Sequence, residues 1–106
     1  MKLRVFFDVG GTLLRGPLTS GQCSLLLKRC VAAGYEVVVW SGMPLVDNCC
    51  GFPVVKKDPW SFLLKPEDTV VDDDEAFLVA LGRGFGCTTV HAEELPALLA
   101  TRWPHS

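Results

Sequence analysis

Val5-Phe6-Phe7-Asp8-Val9-Gly10-Gly11-Thr12-Leu13 is the stretch around which the chain is organised. An apolar run ends there at a carboxylate followed by two glycines, so residues 2–7 read as a buried strand feeding a tight loop. Working outward, residues 35–40 form a second apolar run with β-branched residues, the pattern of a strand buried on both faces, and it ends at Ser41-Gly42. Residues 52–55 give a third strand ahead of Lys56 and Lys57, and residues 69–71 a fourth ahead of Asp72-Asp73-Asp74-Glu75. Residues 87–90 give a fifth.

Helical patterns fill the intervals. Thr19 or Ser20 caps one in which Cys23, Leu26, Leu27, Cys30 and Val31 recur at helical spacing before Gly34 stops it. Pro44 begins a short helix ending near Gly51, and residues 59–64 suggest another. Phe77, Leu78 and Leu81 make a stripe that stops around Gly82 or Gly84, and residues 93–101 form a terminal helix. Strand and helix alternate five times, so the expected fold is a single α/β domain over residues 1–106, with a parallel sheet of about five strands covered on both faces.

In such sheets the ligand crevice lies at the carboxyl ends of the strands. Asp8, Ser41, the Lys56-Lys57 pair and the Asp72-Asp73 pair each follow a strand, so four strand ends deliver carboxylate, hydroxyl, ammonium and carboxylate to one edge. Phosphoryl transfer requires a nucleophile, cationic neutralisation of the phosphate oxygens and donors that position them. An Asp carboxylate serves as nucleophile by forming an aspartyl-phosphate. Because Asp8 and a phosphate are both anionic, a divalent cation between them is needed. Mg²⁺ takes oxygen ligands, commonly one or two carboxylates with waters and phosphate.

These motifs resemble those of the haloacid dehalogenase-like superfamily over residues 3–90. Residues 5–13 are similar to its first motif, a hydrophobic strand followed by D-x-D-G-T-[LV]. Val37-Val38-Val39-Trp40-Ser41-Gly42 resembles the second, Lys56-Lys57-Asp58-Pro59 the lysine-bearing third, and Val70-Val71-Asp72-Asp73 the fourth. The resemblance implies a three-layer α/β/α Rossmann-like fold and a Mg²⁺-dependent phosphohydrolase. Asp8 would be nucleophile and metal ligand, and the backbone carbonyl of Gly10 a further ligand. Asp73 would be the second carboxylate on Mg²⁺, with Asp72 its companion, and Ser41 the phosphate donor. The K-x-D-P pattern favours Lys56 as the motif lysine, with Lys57 close behind. Gly10, Gly11, Thr12, Ser41, Gly42 and Arg15 form the expected substrate-binding set.

Two departures shape the expectation. Phosphatases of the superfamily carry a second Asp two residues after the nucleophile, and here that position is Gly10. A general acid/base there contributes roughly 10²–10⁴-fold in rate. The expected enzyme is therefore slow or specialised, and the rival reading is a non-catalytic phosphate- or metal-binding or oligomerising relative. Second, neither residues 15–19 nor residues 43–55 hold a cap domain. The resemblance implies a capless member that acts on a phosphorylated, macromolecular substrate or borrows its cover from a second copy, for which apolar Leu13, Leu14, Pro17 and Leu18 offer a surface.

Composition excludes other classes. A net charge of −2 with no long basic or acidic run indicates no nucleic-acid surface, and no apolar run approaches a membrane span. The amino-terminal apolar run breaks too early, at Asp8, for a signal peptide. Cys23, Cys30, Cys49, Cys50 and Cys87 lack C-x-x-C spacing and are expected as buried hydrophobes in a reducing cytoplasm. His91 and His105 have no evident partner.

Overall fold

A computed structural model describes residues 2–104. The strands are β1 (Arg4–Asp8), β2 (Glu36–Ser41), β3 (Asn48–Cys49), β4 (Phe52–Lys56), β5 (Thr69–Asp72) and β6 (Thr88–His91). The helices are α1 (Ser20–Ala32), α2 (Pro59–Phe62), α3 (Glu75–Phe85) and α4 (Leu95–Ala100), the last preceded by a 3₁₀ turn, Ala92–Glu94. Together they make an α/β fold around one six-stranded sheet of order β3-β4-β2-β1-β5-β6. All neighbours pair in parallel except β3, which runs antiparallel to β4.

The sheet is thus mixed and one strand wider than the sequence pattern predicts. Residues 44–51 supply the extra strand in place of the expected helix. Cys50 and Gly51 both adopt positive φ, 54° and 83°, which closes a two-residue hairpin between Cys49 and Phe52. Positive φ at both central positions matches the right-handed twist of the flanking strands. Asp47 and Asn48 are also poor helix formers, so Pro44 starts a loop.

Alternation along β1 divides the core. Val5 and Phe7 enter one buried cluster with Cys23, Leu26, Leu27 and Cys30 of α1 and with Leu95. Phe6 enters a second with Trp40, Leu64, Leu78 and Leu81. Each large side chain buried this way contributes about 1.5–3 kcal/mol. The α1 stripe is narrower than predicted, since Val31 is exposed. Thr19 starts that helix with a reciprocal cap: its Oγ1 accepts from the Gln22 N–H at 3.2 Å, and Gln22 Oε1 accepts from the Thr19 N–H at 2.9 Å. Helix α3 runs past Gly82 and Gly84 to Gly86, whose φ of 71° ends it.

The strands end together. Asp8 stands opposite Trp40, Ser41 opposite Lys56 and Asp72 opposite His91, so every carboxyl terminus in the parallel set reaches one edge. At the other edge Arg4 clamps buried Asp68 through Nε to Oδ1 at 3.0 Å and Nη2 to Oδ2 at 2.6 Å. No helix among the described residues is long and apolar enough to cross a membrane.

Candidate phosphoryl-transfer site

Asp8 is the last residue of β1, and the turn behind it is tight. The N–H groups of Thr12, Leu13 and Leu14 all donate to the Val9 carbonyl at 3.2, 2.9 and 2.8 Å, and the Gly11 N–H donates to the Leu14 carbonyl at 2.7 Å. Gly11 holds φ at +82°, and a Cβ built there would collide with the Asp73 carboxylate. Glycine is therefore required on two counts, backbone conformation and the close approach of a site carboxylate. Gly10 is different. Its φ lies outside the left-handed region, and an added Cβ would meet nothing within 4 Å.

The lysine of the site is Lys57. Its backbone N–H donates to the Ser41 carbonyl at 2.8 Å, tying it to the neighbouring strand. Its Nζ then donates to Asp8 Oδ1 and to Asp72 Oδ2, both at 2.7 Å, above the Phe77 ring at 4.8 Å from the centroid. Lys56, which the K-x-D-P pattern favours, is exposed and donates to neither carboxylate. Successive residues of an extended chain project oppositely, so only one of the pair reaches the site.

Asp72 is 1% exposed and uses both oxygens, Oδ2 for Lys57 and Oδ1 for the Asp74 N–H at 2.9 Å. Asp73 is exposed and faces Gly11. One oxygen from each of Asp8, Asp72 and Asp73 lies within 4.8 Å of the others. An octahedral Mg²⁺ with oxygens at roughly 2.1 Å places adjacent ligands about 3 Å apart and opposite ones about 4.2 Å, so this all-oxygen donor set suits such an ion in kind and would draw inward to hold it. Charge agrees: three carboxylates beside one ammonium leave a formal local charge of −2.

Burial pushes the Asp8 carboxyl up to about 6. The Lys57 hydrogen bond opposes that rise, and the neighbouring charge of Asp72 adds to it. For Lys57, burial favours the neutral amine, but the hydrogen bonds and charges of Asp72 and Asp8 outweigh it and hold its pKa above the ordinary value. Asp8 thus keeps its proton to a higher pH than an ordinary carboxyl does, while Lys57 holds its charge.

The remaining expected site residues divide. Thr12 is fully buried and its Oγ1 donates to Asp8 Oδ2 at 3.4 Å, so its hydroxyl is directed at that carboxylate and not at the surface. Ser41 is half-buried; its Oγ accepts from the Met43 N–H at 3.3 Å. Gly42 and Arg15 are exposed, and Arg15 holds φ at 57°. Of the flap leucines, Leu13 and Leu18 are buried in the core while Leu14 is exposed, so the apolar surface there is smaller than expected.

Two residues emerge only from the fold. Phe77 lies against the Lys57 ammonium, a contact without a sequence signal because 20 residues separate the two. His91 shares a surface cavity with Gly11, Arg15 and Asp73. Its Nδ1 accepts from the Glu93 N–H at 3.1 Å, which assigns the ring proton to Nε2 and makes the free nitrogen a donor. His105 lies outside the described residues. Three of the thiols are chemically quiet: burial pushes Cys23 up to about 11 and Cys30 and Cys49 up to about 12. No family model matches the chain, and no curated protein or solved structure matches it either.

Proposed function

We propose that this chain is a capless, Mg²⁺-dependent phosphohydrolase of the haloacid dehalogenase-like superfamily, working through an aspartyl-phosphate on Asp8. The observation that carries the reading is Lys57, bonded at 2.7 Å to both Asp8 and Asp72 in a site whose net negative charge suits a divalent cation. Asp8, Asp73 and the Gly10 carbonyl would hold Mg²⁺, which when bound neutralises charge on both the phosphate and the nucleophile. Lys57 orients the Asp8 carboxylate and offers a positive charge to the phosphate oxygens. Ser41 donates its hydroxyl to one of those oxygens, and Thr12 fixes the rotation of Asp8. The two apolar clusters that sort β1 side chains by alternation support a three-layer, Rossmann-like arrangement. Five free thiols suit a reducing cytoplasm.

A phosphatase panel with and without Mg²⁺ tests the reading. Wild-type protein should hydrolyse phosphomonoesters only with Mg²⁺, and Asp8→Asn should be inert. Activity that survives Asp8→Asn refutes the nucleophile. Gly10 favours a second reading, a phosphate- or metal-binding relative without turnover. Gly10→Asp separates the two, because the backbone there accepts a side chain without strain. An enzyme limited by its missing acid should gain up to about 10²–10⁴-fold on esters with strongly basic leaving groups. A folded, Mg²⁺-binding Gly10→Asp protein that stays inert favours the binding module.

A further inference from the structure

Beside Ser41 the carboxyl edge opens into a cavity of about 130 Å³ walled by Gly10, Leu14, Arg15, Met43, Leu45 and Val46. Ser41, where it joins the site, and Arg15 are the only polar side chains in its lining. Gly10, the position where a general acid would stand, lines this cavity, and a Cβ added there would meet nothing within 4 Å. Met43 and Leu45 are 74% and 86% exposed, so large apolar side chains stand in water at the rim of a charged site. A ligand covering them gains from their burial, whereas the bare fold does not.

Size and chemistry converge on one class of leaving group. An apolar cavity of roughly 150 Å³ accepts benzene, so this one is of single-ring size. The lack of an acid at position 10 favours a leaving oxygen that can depart as an anion. A phenolic oxygen carries that charge readily, with a pKa of about 10, whereas an aliphatic alkoxide resembles hydroxide, whose parent water has a pKa of about 15.7. Methionine packs favourably on aromatic rings, and Arg15 brings a cation to the developing negative charge.

We infer that this cavity is a leaving-group subsite and that the substrate is an aryl phosphate monoester, its ring held by Met43, Leu45 and Leu14 and its phosphoryl group by Lys57 and Ser41. The inference rests on the phosphohydrolase reading above. An Asp8 oxygen forms a bond to phosphorus as the bond from phosphorus to the aryl oxygen breaks. The phenolate leaves with that electron pair and takes a proton from solvent. Water then attacks the phosphorus, the Asp8 oxygen–phosphorus bond breaks, and inorganic phosphate and the free carboxylate result.

The test pairs a binding measurement with a labelling control. Phenylphosphonate and methylphosphonate are titrated by NMR, with Mg²⁺ present, into wild-type protein and into Leu45→Asp, an exposed substitution whose folding is checked by circular dichroism. Phenylphosphonate should bind wild-type protein about tenfold or more tightly than methylphosphonate, and Leu45→Asp should erase most of that preference. Acetyl phosphate, which lacks a ring, probes Asp8 independently, with the phosphorylated residue located by peptide mass spectrometry. Labelling of Asp8 together with equal phosphonate affinities overturns the aryl subsite and leaves the phosphohydrolase reading standing. Absence of labelling overturns that reading itself, and the aryl substrate with it.

Discussion

Lys57 does at the residue scale what no other side chain of the site does, since one ammonium satisfies two carboxylates on different strands. Removing it leaves Asp72 buried without its counter-charge, a change that typically costs about 3–5 kcal/mol. Lys57→Ala should therefore lower stability by that order in urea melts and reduce turnover by about 10²–10³-fold. Lys56→Ala, at an exposed position, should change stability by less than about 0.5 kcal/mol and leave turnover intact. Equal effects of the two substitutions would reverse the assignment. Asp8 gives a second prediction. Its pKa of about 6 in the folded protein exceeds the ordinary 3.8, so the native state binds its proton more tightly than the unfolded chain does. The associated stability is full below about pH 4 and is lost as pH rises through about 6. In chelator-treated protein, the stability of wild type relative to Asp8→Asn should fall between pH 4 and 6 by on the order of 2–3 kcal/mol. A difference independent of pH would mean that Asp8 is not held in this buried, crowded setting.

Gly11 matters at the scale of the β1 loop, because it sets how closely that loop approaches the end of β5. Gly11→Ala meets both a left-handed φ and the Asp73 carboxylate. It should destabilise by about 1–3 kcal/mol and weaken Mg²⁺ binding by displacing Asp73, read by calorimetric titration. Unchanged Mg²⁺ affinity would remove Asp73 from the ligand set. The elements also set the limit of what the sequence reveals. Parallel strands β1, β2 and β5 are legible because burial on both faces writes a continuous apolar run, and the polar residues that follow them mark the edge. The β3–β4 hairpin was not legible. Its turn uses Cys50-Gly51, without the Asn-Gly signature of such turns, and Cys50 takes a positive φ that its type rarely adopts. Nor does the chain order separate Lys56 from Lys57, because that choice depends on how the strand end projects. The sequence also does not show that Thr12, expected in the substrate-binding set, is buried by its turn with its hydroxyl directed at Asp8.

Over the whole molecule, the buried carboxylates stand at the two ends of the sheet, Asp68 at one and Asp8 and Asp72 at the other. Arg4 and Asp68 lock the amino edge as a matched pair, while the carboxyl edge holds more negative charge than Lys57 alone offsets. The first arrangement serves stability and is complete in itself; the second invites a cation. Mg²⁺ should therefore raise the melting temperature by mass action, by about 10 °C at a hundredfold excess over Kd. Asp68→Asn should lower the starting melting temperature but keep the Mg²⁺ response, because it acts at the opposite edge. The decisive measurement is the same Mg²⁺ titration of melting temperature on the Asp8→Asn/Asp73→Asn double variant. Loss of the response is the predicted result, and a rise equal to that of wild-type protein would contradict the site.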